Sequence, residues 1–239
     1  MLSRLSIKYS SNLTFKLSNT NIRYKVSRLS RNLWANNEKK LSNNISRAKT
    51  TIYDYAINND FYFFVTLTTN KNKIDRYNLK KLISIINEKI KWLRRKTGRN
   101  YQYLLIPESH KNGAWHLHGF FSYDFAYDFY VNDYLYLSWS SFDNIGFSSI
   151  SIIDNYTACC KYITKYVNKE FSNRKKGDRL YFCSKGLKRS KKIYDFVMNG
   201  DLDSLKWSYI GDYGKTLSCN EDYLDYFFNN YSNQIYDII

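Results

Sequence analysis

The chain holds three histidines, and two of them form His116-Leu117-His118. In a chain of 239 residues with this composition, that spacing arises by chance about 4% of the time. On a β-strand the two-residue period points both imidazoles to one face, about 7 Å apart at the backbone. Two ring nitrogens can then converge on one ion. Glu108 lies eight residues before His116, and a hairpin between them brings its carboxylate to the same end of a sheet. Two imidazoles and one carboxylate leave coordination positions open, which suits a catalytic divalent ion better than a closed structural one. The competing reading is a plain pair of buried or surface histidines.

A second cluster lies downstream in Tyr162-Ile-Thr-Lys165-Tyr166-Val-Asn-Lys169. At about 100° per residue on a helix, Tyr162, Lys165, Tyr166 and Lys169 share an arc of roughly 100°. Tyr156, Cys159, Cys160, Ile163 and Val167 fill the neighbouring stripe. One stripe therefore packs, and the other presents two phenols and two ammonium groups together. A nearby cation stabilises both a phenolate and a phosphate under attack. In a chain with 24 tyrosines this spacing recurs by chance, as at Tyr77–Lys80. Its weight comes from its place after the histidine pair. Packing alone is the competing reading for one of the two phenols.

The elements that must position these groups are legible in outline. Phe61–Thr68 is a short apolar, β-rich run of strand length, and Asp75 is placed to cap the helix that follows. Leu79, Leu82, Ile83, Ile86, Ile90 and Leu93 recur at helical steps until Gly98. Tyr101–Pro107 and Trp115–Phe121 read as strands joined by a turn at His110–Gly113. Phe121–Ser141 reads as an aromatic helix or inserted lobe, and Phe147–Ile153 as a further strand. Asp154 or Asn155 caps a helix to about Glu170, followed by a strand at Leu180–Ser184. The expected fold class is α+β: an antiparallel sheet of four to five strands with flanking helices. Expected boundaries are a basic N-terminal extension at 1–58, partly ordered at best, the site-bearing domain at 59–195 and an acidic segment at 196–239.

Charge narrows the partner. Residues 1–50 carry 11 Lys/Arg against one acid, 51–194 carry 24 against 12, and 195–239 carry two against eight. A basic body rich in Tyr, Phe and Trp suits a polyanion with stackable bases. A solvated surface encoded by an AT-rich genome fits the same composition. The four cysteines form neither a disulfide framework nor a metal knuckle. No apolar run approaches the ~20 residues that span a bilayer, and no leader pattern opens the chain. These point to a soluble, cytoplasmic protein away from membranes. Gly211–Thr216 ends like a phosphate-binding loop, but position 209 is Tyr where that loop needs Gly. It reads as a turn.

Three motifs in this order carry a resemblance: Phe-Val-Thr-Leu-Thr at 64–68, WHLHGFF at 115–121 and the helical YxxK. Together they resemble the HUH endonuclease superfamily of rolling-circle replication initiators, relaxases and some transposases. The tandem YITKYVNK at 162–169 is similar to the two-tyrosine initiators of small single-stranded DNA phages, the microviruses. The resemblance covers about residues 60–195 and implies an HUH/RRM-like palm. It implies that Glu108, His116 and His118 hold Mg²⁺ or Mn²⁺, that Tyr162 and Tyr166 are nucleophiles, and that Lys165 and Lys169 support the phosphate. It also implies a nickase and strand-transferase that forms a 5′-phosphotyrosine and a free 3′-OH. The implied partners are single-stranded DNA at an origin and a helicase and polymerase borrowed from a bacterial host. RLYFCSKGLKRSK at 179–191 looks like the basic segment of phage initiators. Lys185, Lys188, Arg189, Lys191 and Lys192 are phosphate-contact candidates, or simply a solvated loop. Thr66 and Thr68 either touch DNA or serve the strand. A non-catalytic single-strand binder is the alternative of a different class. It would have no use for three metal-competent side chains at one end of a hairpin.

Overall fold

The computed structural model describes residues 2–10, 14–21, 36–110, 112–167, 179–199, 209–211, 214–219, 221–231 and 235–237. In chain order the first elements are β1 (Leu2–Ser10), β2 (Thr14–Asn21), α1 (Asn36–Ile57), β3 (Phe61–Thr69) and α2 (Leu79–Thr97). Next come β4 (Tyr103–Ser109), β5 (Trp115–Ser122), β6 (Phe129–Val131), β7 (Leu137–Trp139), β8 (Gly146–Ile152) and α3 (Tyr156–Tyr162). The last are β9 (Phe182–Cys183), β10 (Lys191–Asn199), β11 (Tyr209–Gly211), β12 (Gly214–Cys219), α4 (Glu221–Tyr231) and β13 (Ile235–Asp237). Contacts divide the chain into Leu33–Lys188 and a second unit made of Met1–Asn32 with Arg189–Ile239. None of the described helices is long and apolar enough to cross a membrane.

In the Leu33–Lys188 unit, seven antiparallel strands run in the order β6-β7-β8-β3-β5-β4-β9. This is the expected α+β architecture, with more strands than the four to five expected. The additions are β6 and β7, three residues each and too short to leave a periodic signal, while β9 falls within the strand expected at Leu180–Ser184. Phe121–Ser141, expected as a helix or lobe, contains the β6–β7 hairpin between two 3₁₀ turns.

Alternation along the strands divides the core. Val65, Leu67, Leu105, Leu117 and Phe121 face one way and pack under Leu82, Ile83, Ile86, Ile90 and Leu93 of α2. Leu104, Ile106 and Phe120 face the other way, under Ile45, Ile52 and Ala56 of α1 and Cys160 and Ile163 after β8. Each such side chain contributes roughly 1.5–3 kcal/mol by leaving water. The α1 stripe at Ile45, Ala48, Ile52 and Ala56 has helical spacing, although the sequence around it is too polar to announce a helix. The cap of α2 is Asn78, whose side chain accepts from the Lys81 N–H, and not Asp75, which holds the Tyr77 N–H in the preceding turn. At the other end Gly98 takes the left-handed φ of 69° and its N–H closes on the Arg94 carbonyl.

In the other unit six antiparallel strands run β11-β12-β2-β1-β10-β13. Here β1 pairs along β10 from Leu2↔Asn199 to Tyr9↔Lys191. The basic start and the acidic end of the chain therefore share one sheet, where the sequence reading keeps them as separate segments. Gly211 and Gly214 face each other across the β11–β12 hairpin, so the loop-like glycines mark a chain reversal.

Candidate active site

The β4–β5 register sets the site. Glu108 pairs with His116 and Ile106 with His118 on one side of β5, while Thr68 pairs with His116 and Thr66 with His118 on the other. Directly opposed residues share a face, so the carboxylate, both imidazoles and both hydroxyls stand together. They lie beyond the end of the apolar patch under α1. Gly119 lets the strands close this tightly: a Cβ there would meet the Leu104 carbonyl oxygen at 2.0 Å.

Each histidine is held at the same atom in the same way. Thr66 Oγ1 lies 3.1 Å from His118 Nδ1, and Thr68 Oγ1 lies 3.2 Å from His116 Nδ1. A hydroxyl both donates and accepts, so each threonine fixes ring orientation with either tautomer. This is their place in the structure: they orient imidazoles. His118 Nε2 sits 2.7 Å from Glu108 Oε2. Burial depresses His116 to about 4, with His110 and His118 adding to the effect. Burial also depresses His118, against the opposing pull of Glu108. The depression favours the neutral ring, in which the 2.7 Å contact is a hydrogen bond from Nε2–H to the carboxylate.

The tyrosines arrive from α3. Asn155 caps this helix by accepting from the Ala158 N–H. The Tyr156 hydroxyl rests on the carbonyls of Ala56 and Asn59, tying α3 to the corner between α1 and β3. The helix then tightens into a 3₁₀ turn over Ile163–Tyr166, so it ends well before the Glu170 read from the sequence. Ile163 and Val167 remain buried and the phenols are thrown toward the sheet. The Tyr166 ring lies flat on His118, with centroids 3.8 Å apart at 11°. The Tyr166 hydroxyl donates to the Tyr162 hydroxyl at 3.0 Å. Burial, then the hydrogen bond to Tyr162, then the charge of Glu108 hold Tyr166 protonated well above the ordinary phenol range. Tyr162 is 44% exposed, with Lys165 Nζ 5.2 Å from its ring centre.

One participant escapes the sequence reading. His110, read only as the start of a turn, stacks on His116 with centroids 3.8 Å apart. The signal is there in the sequence, since every histidine of the chain lies within 110–118. Lys169 lies outside the described residues. Lys185, Lys188 and Arg189 are exposed, while Lys191 and Lys192 open β10 and their side chains lie outside what is described. The buried Asn59 clamps the Lys188 backbone from both sides, accepting its N–H at 2.8 Å and donating to its carbonyl at 2.9 Å.

Two neutral imidazoles and a carboxylate are chemically the donor set of an open divalent-ion site. One short hydrogen bond already joins two of the three. Among the described residues no three His, Cys, Asp or Glu side chains are gathered about a common point as ion ligands. His116 is engaged by Thr68 at Nδ1 and by the ring of His110.

Comparison with known families adds an independent finding. Residues 62–171 match the family model of the replication-associated protein ORF2. The match begins in β3 and ends beyond Tyr166, so it contains Glu108, His116, His118 and both tyrosines. It is consistent with the rolling-circle initiators that the three motifs resemble, and it supports a role in DNA replication. No curated protein and no solved structure matches the chain.

Proposed function

We propose that the chain initiates rolling-circle replication by nicking single-stranded DNA at an origin, with a tyrosine as nucleophile. The observation that carries the reading is the stack of Tyr166 on His118, with a second phenol 3.0 Å from the first. Two imidazoles, a carboxylate and two phenols then lie on one surface of the segment that matches the replication-associated family.

In the proposed step a phenolic oxygen of Tyr162 or Tyr166 bonds to phosphorus and the P–O3′ bond breaks. The phenolic proton is lost and the departing 3′ oxygen gains one, leaving a 5′-phosphotyrosine and a 3′-OH that primes synthesis. Glu108, His116 and His118 would hold Mg²⁺ or Mn²⁺, which when bound supplies Lewis-acid polarisation of the phosphate. Thr66 and Thr68 keep the imidazoles in orientation. Lys165 stabilises the phenolate forming on Tyr162, with Lys169, three residues after Tyr166 in the sequence, in the same role. Tyr166 is held protonated by its surroundings, so its attack needs that proton withdrawn as DNA binds. Two phenols within hydrogen-bond reach permit one to hold the 5′ end while the other makes the next cut. Lys185, Lys188, Arg189, Lys191 and Lys192 supply phosphate contacts. Helicase and polymerase come from a bacterial host, in whose cytoplasm the protein works.

Labelled single-stranded origin DNA incubated with Mn²⁺ tests this on a denaturing gel. An EDTA-sensitive covalent adduct is expected from wild type. It should persist in Tyr162→Phe and in Tyr166→Phe, and vanish in the double variant and in His118→Ala. Tight DNA binding without any adduct would sink the enzymatic reading.

A further inference from the structure

The sheet face opposite the histidines carries a groove lined by an exposed tryptophan and two lysines. The buried residues of α2 are Leu82, Ile83, Ile86, Ile90 and Leu93. Lys89, Trp92 and Lys96 follow one another at three- and four-residue steps along the flank of that buried stripe. Trp92 is left 47% exposed, a large apolar ring that the core does not use. Beside it runs an open groove of about 620 Å³ between α2 and the turns that carry Asp128, Ser140 and Asn144. That volume lies within the range of small-ligand sites. The Lys96 ammonium rests over the Trp92 ring at 4.7 Å.

We propose that this groove is a second contact for single-stranded DNA, in which a nucleobase stacks on Trp92 and Lys89 and Lys96 hold the adjoining phosphate. Stacking of a base on an aromatic ring is a stronger contact than an exposed cation–π pair. A base therefore displaces the ammonium from the ring and leaves it beside the phosphate. Two carboxylates, Asp128 and Glu88, also line the groove, each engaged by a neighbouring donor. Asp128 accepts the Ser141 N–H of the 3₁₀ turn at Ser140–Phe142, and Glu88 accepts from Ser84 one turn back along α2. Ser140 and Asn144 offer a hydroxyl and an amide to base edges. The inference rests on DNA being what this domain handles, but not on the chemistry at the tyrosines. A strand engaged at the histidine face must pass over an edge of the sheet to reach the groove. The groove thus retains single-stranded DNA whose nick site lies on the far side.

The test is photo-crosslinking of the full chain to a 30-nucleotide oligo(dT) carrying 5-iodouracil, with peptide mapping, beside anisotropy on the same DNA. A crosslink at Trp92 is expected. Trp92→Ala should weaken binding roughly 10-fold, Trp92→Phe should recover part of the loss, and Lys89→Glu with Lys96→Glu should flatten the salt dependence. Melting temperatures of the variants should match wild type, since none of these side chains is in the core. Adduct formation on a short origin oligonucleotide should be unchanged in all of them. Crosslinks confined to the histidine face, affinity of Trp92→Ala within twofold of wild type, or an acidic peptide bound at Trp92 while DNA is not would each overturn the proposal. Absence of any adduct in wild type, with the Trp92 crosslink present, would retire the nickase and leave the groove standing.

Discussion

The two faces of the seven-stranded sheet are made from the same strands, one residue in two, and they differ in what covers them. Under α2 the strands present Val65, Leu67, Leu105, Leu117 and Phe121 to a continuous apolar layer. On the other face Leu104, Ile106 and Phe120 are covered by α1 and the residues after β8. The same rows then continue as Glu108, His116 and Thr68, beyond the end of that cover. A strand can thus serve stability on one face and chemistry on the other because alternate side chains do not share surroundings. The difference is sharpest at Leu117, which is fully buried between two half-exposed or polar-paired histidines.

This comparison can be broken at several strengths. The largest effect is expected from Gly119→Ala, which touches both faces at once. Its Cβ would meet backbone at 2.0 Å, with no flexible side chain to yield, so β4 and β5 must part. Loss of the cooperative thermal transition in circular dichroism is the expected result. Leu117→Ala spoils the apolar face alone and should cost about 2–5 kcal/mol in urea unfolding. Thr68→Val acts on the chemical face alone. Adduct formation should fall about 10–100-fold, as when other groups that orient metal-binding histidines are lost, with less than about 1 kcal/mol of stability. Thr68→Ser should restore the rate. If Thr68→Val forms adduct at the wild-type rate, the threonine serves only the strand.

The smallest effect is a pH dependence. Both imidazoles titrate below their ordinary value when folded, His116 at about 4 against 6.5. Between those values the unfolded chain binds more protons than the folded one, so stability rises with pH there. It should be fully present above about pH 6.5 and decline as the pH falls toward 4. Melting temperatures taken in EDTA across that range should show the decline, and His116→Gln should flatten it.

Local signals and long-range ones are unequally legible in the sequence. The β3, α2 and β5 patterns and the Glu108, His116 and His118 row follow from periodicity and from a hairpin centred near residue 112. The tandem phenols follow from helical spacing. Pairing of β1 with β10 joins Leu2 to Asn199, and no local pattern encodes so distant a partner. The helix α1 is hidden because its four-residue stripe sits among Asn, Ser and Lys. The 3₁₀ turn over Ile163–Tyr166 depends on burial of Ile163 and Val167 against the sheet, a tertiary cause. The threonines read as strand formers or DNA contacts because β-propensity explains a Thr before its hydrogen bond can be seen.

The most direct measurement is the identity of the linked residue. The covalent adduct formed with Mn²⁺ on single-stranded origin DNA should be digested and mapped by mass spectrometry. The account predicts a nucleotide on the Tyr162 or Tyr166 peptide, absent in EDTA. A linkage at another residue, or cleavage that leaves the DNA free with no protein attached, would contradict it.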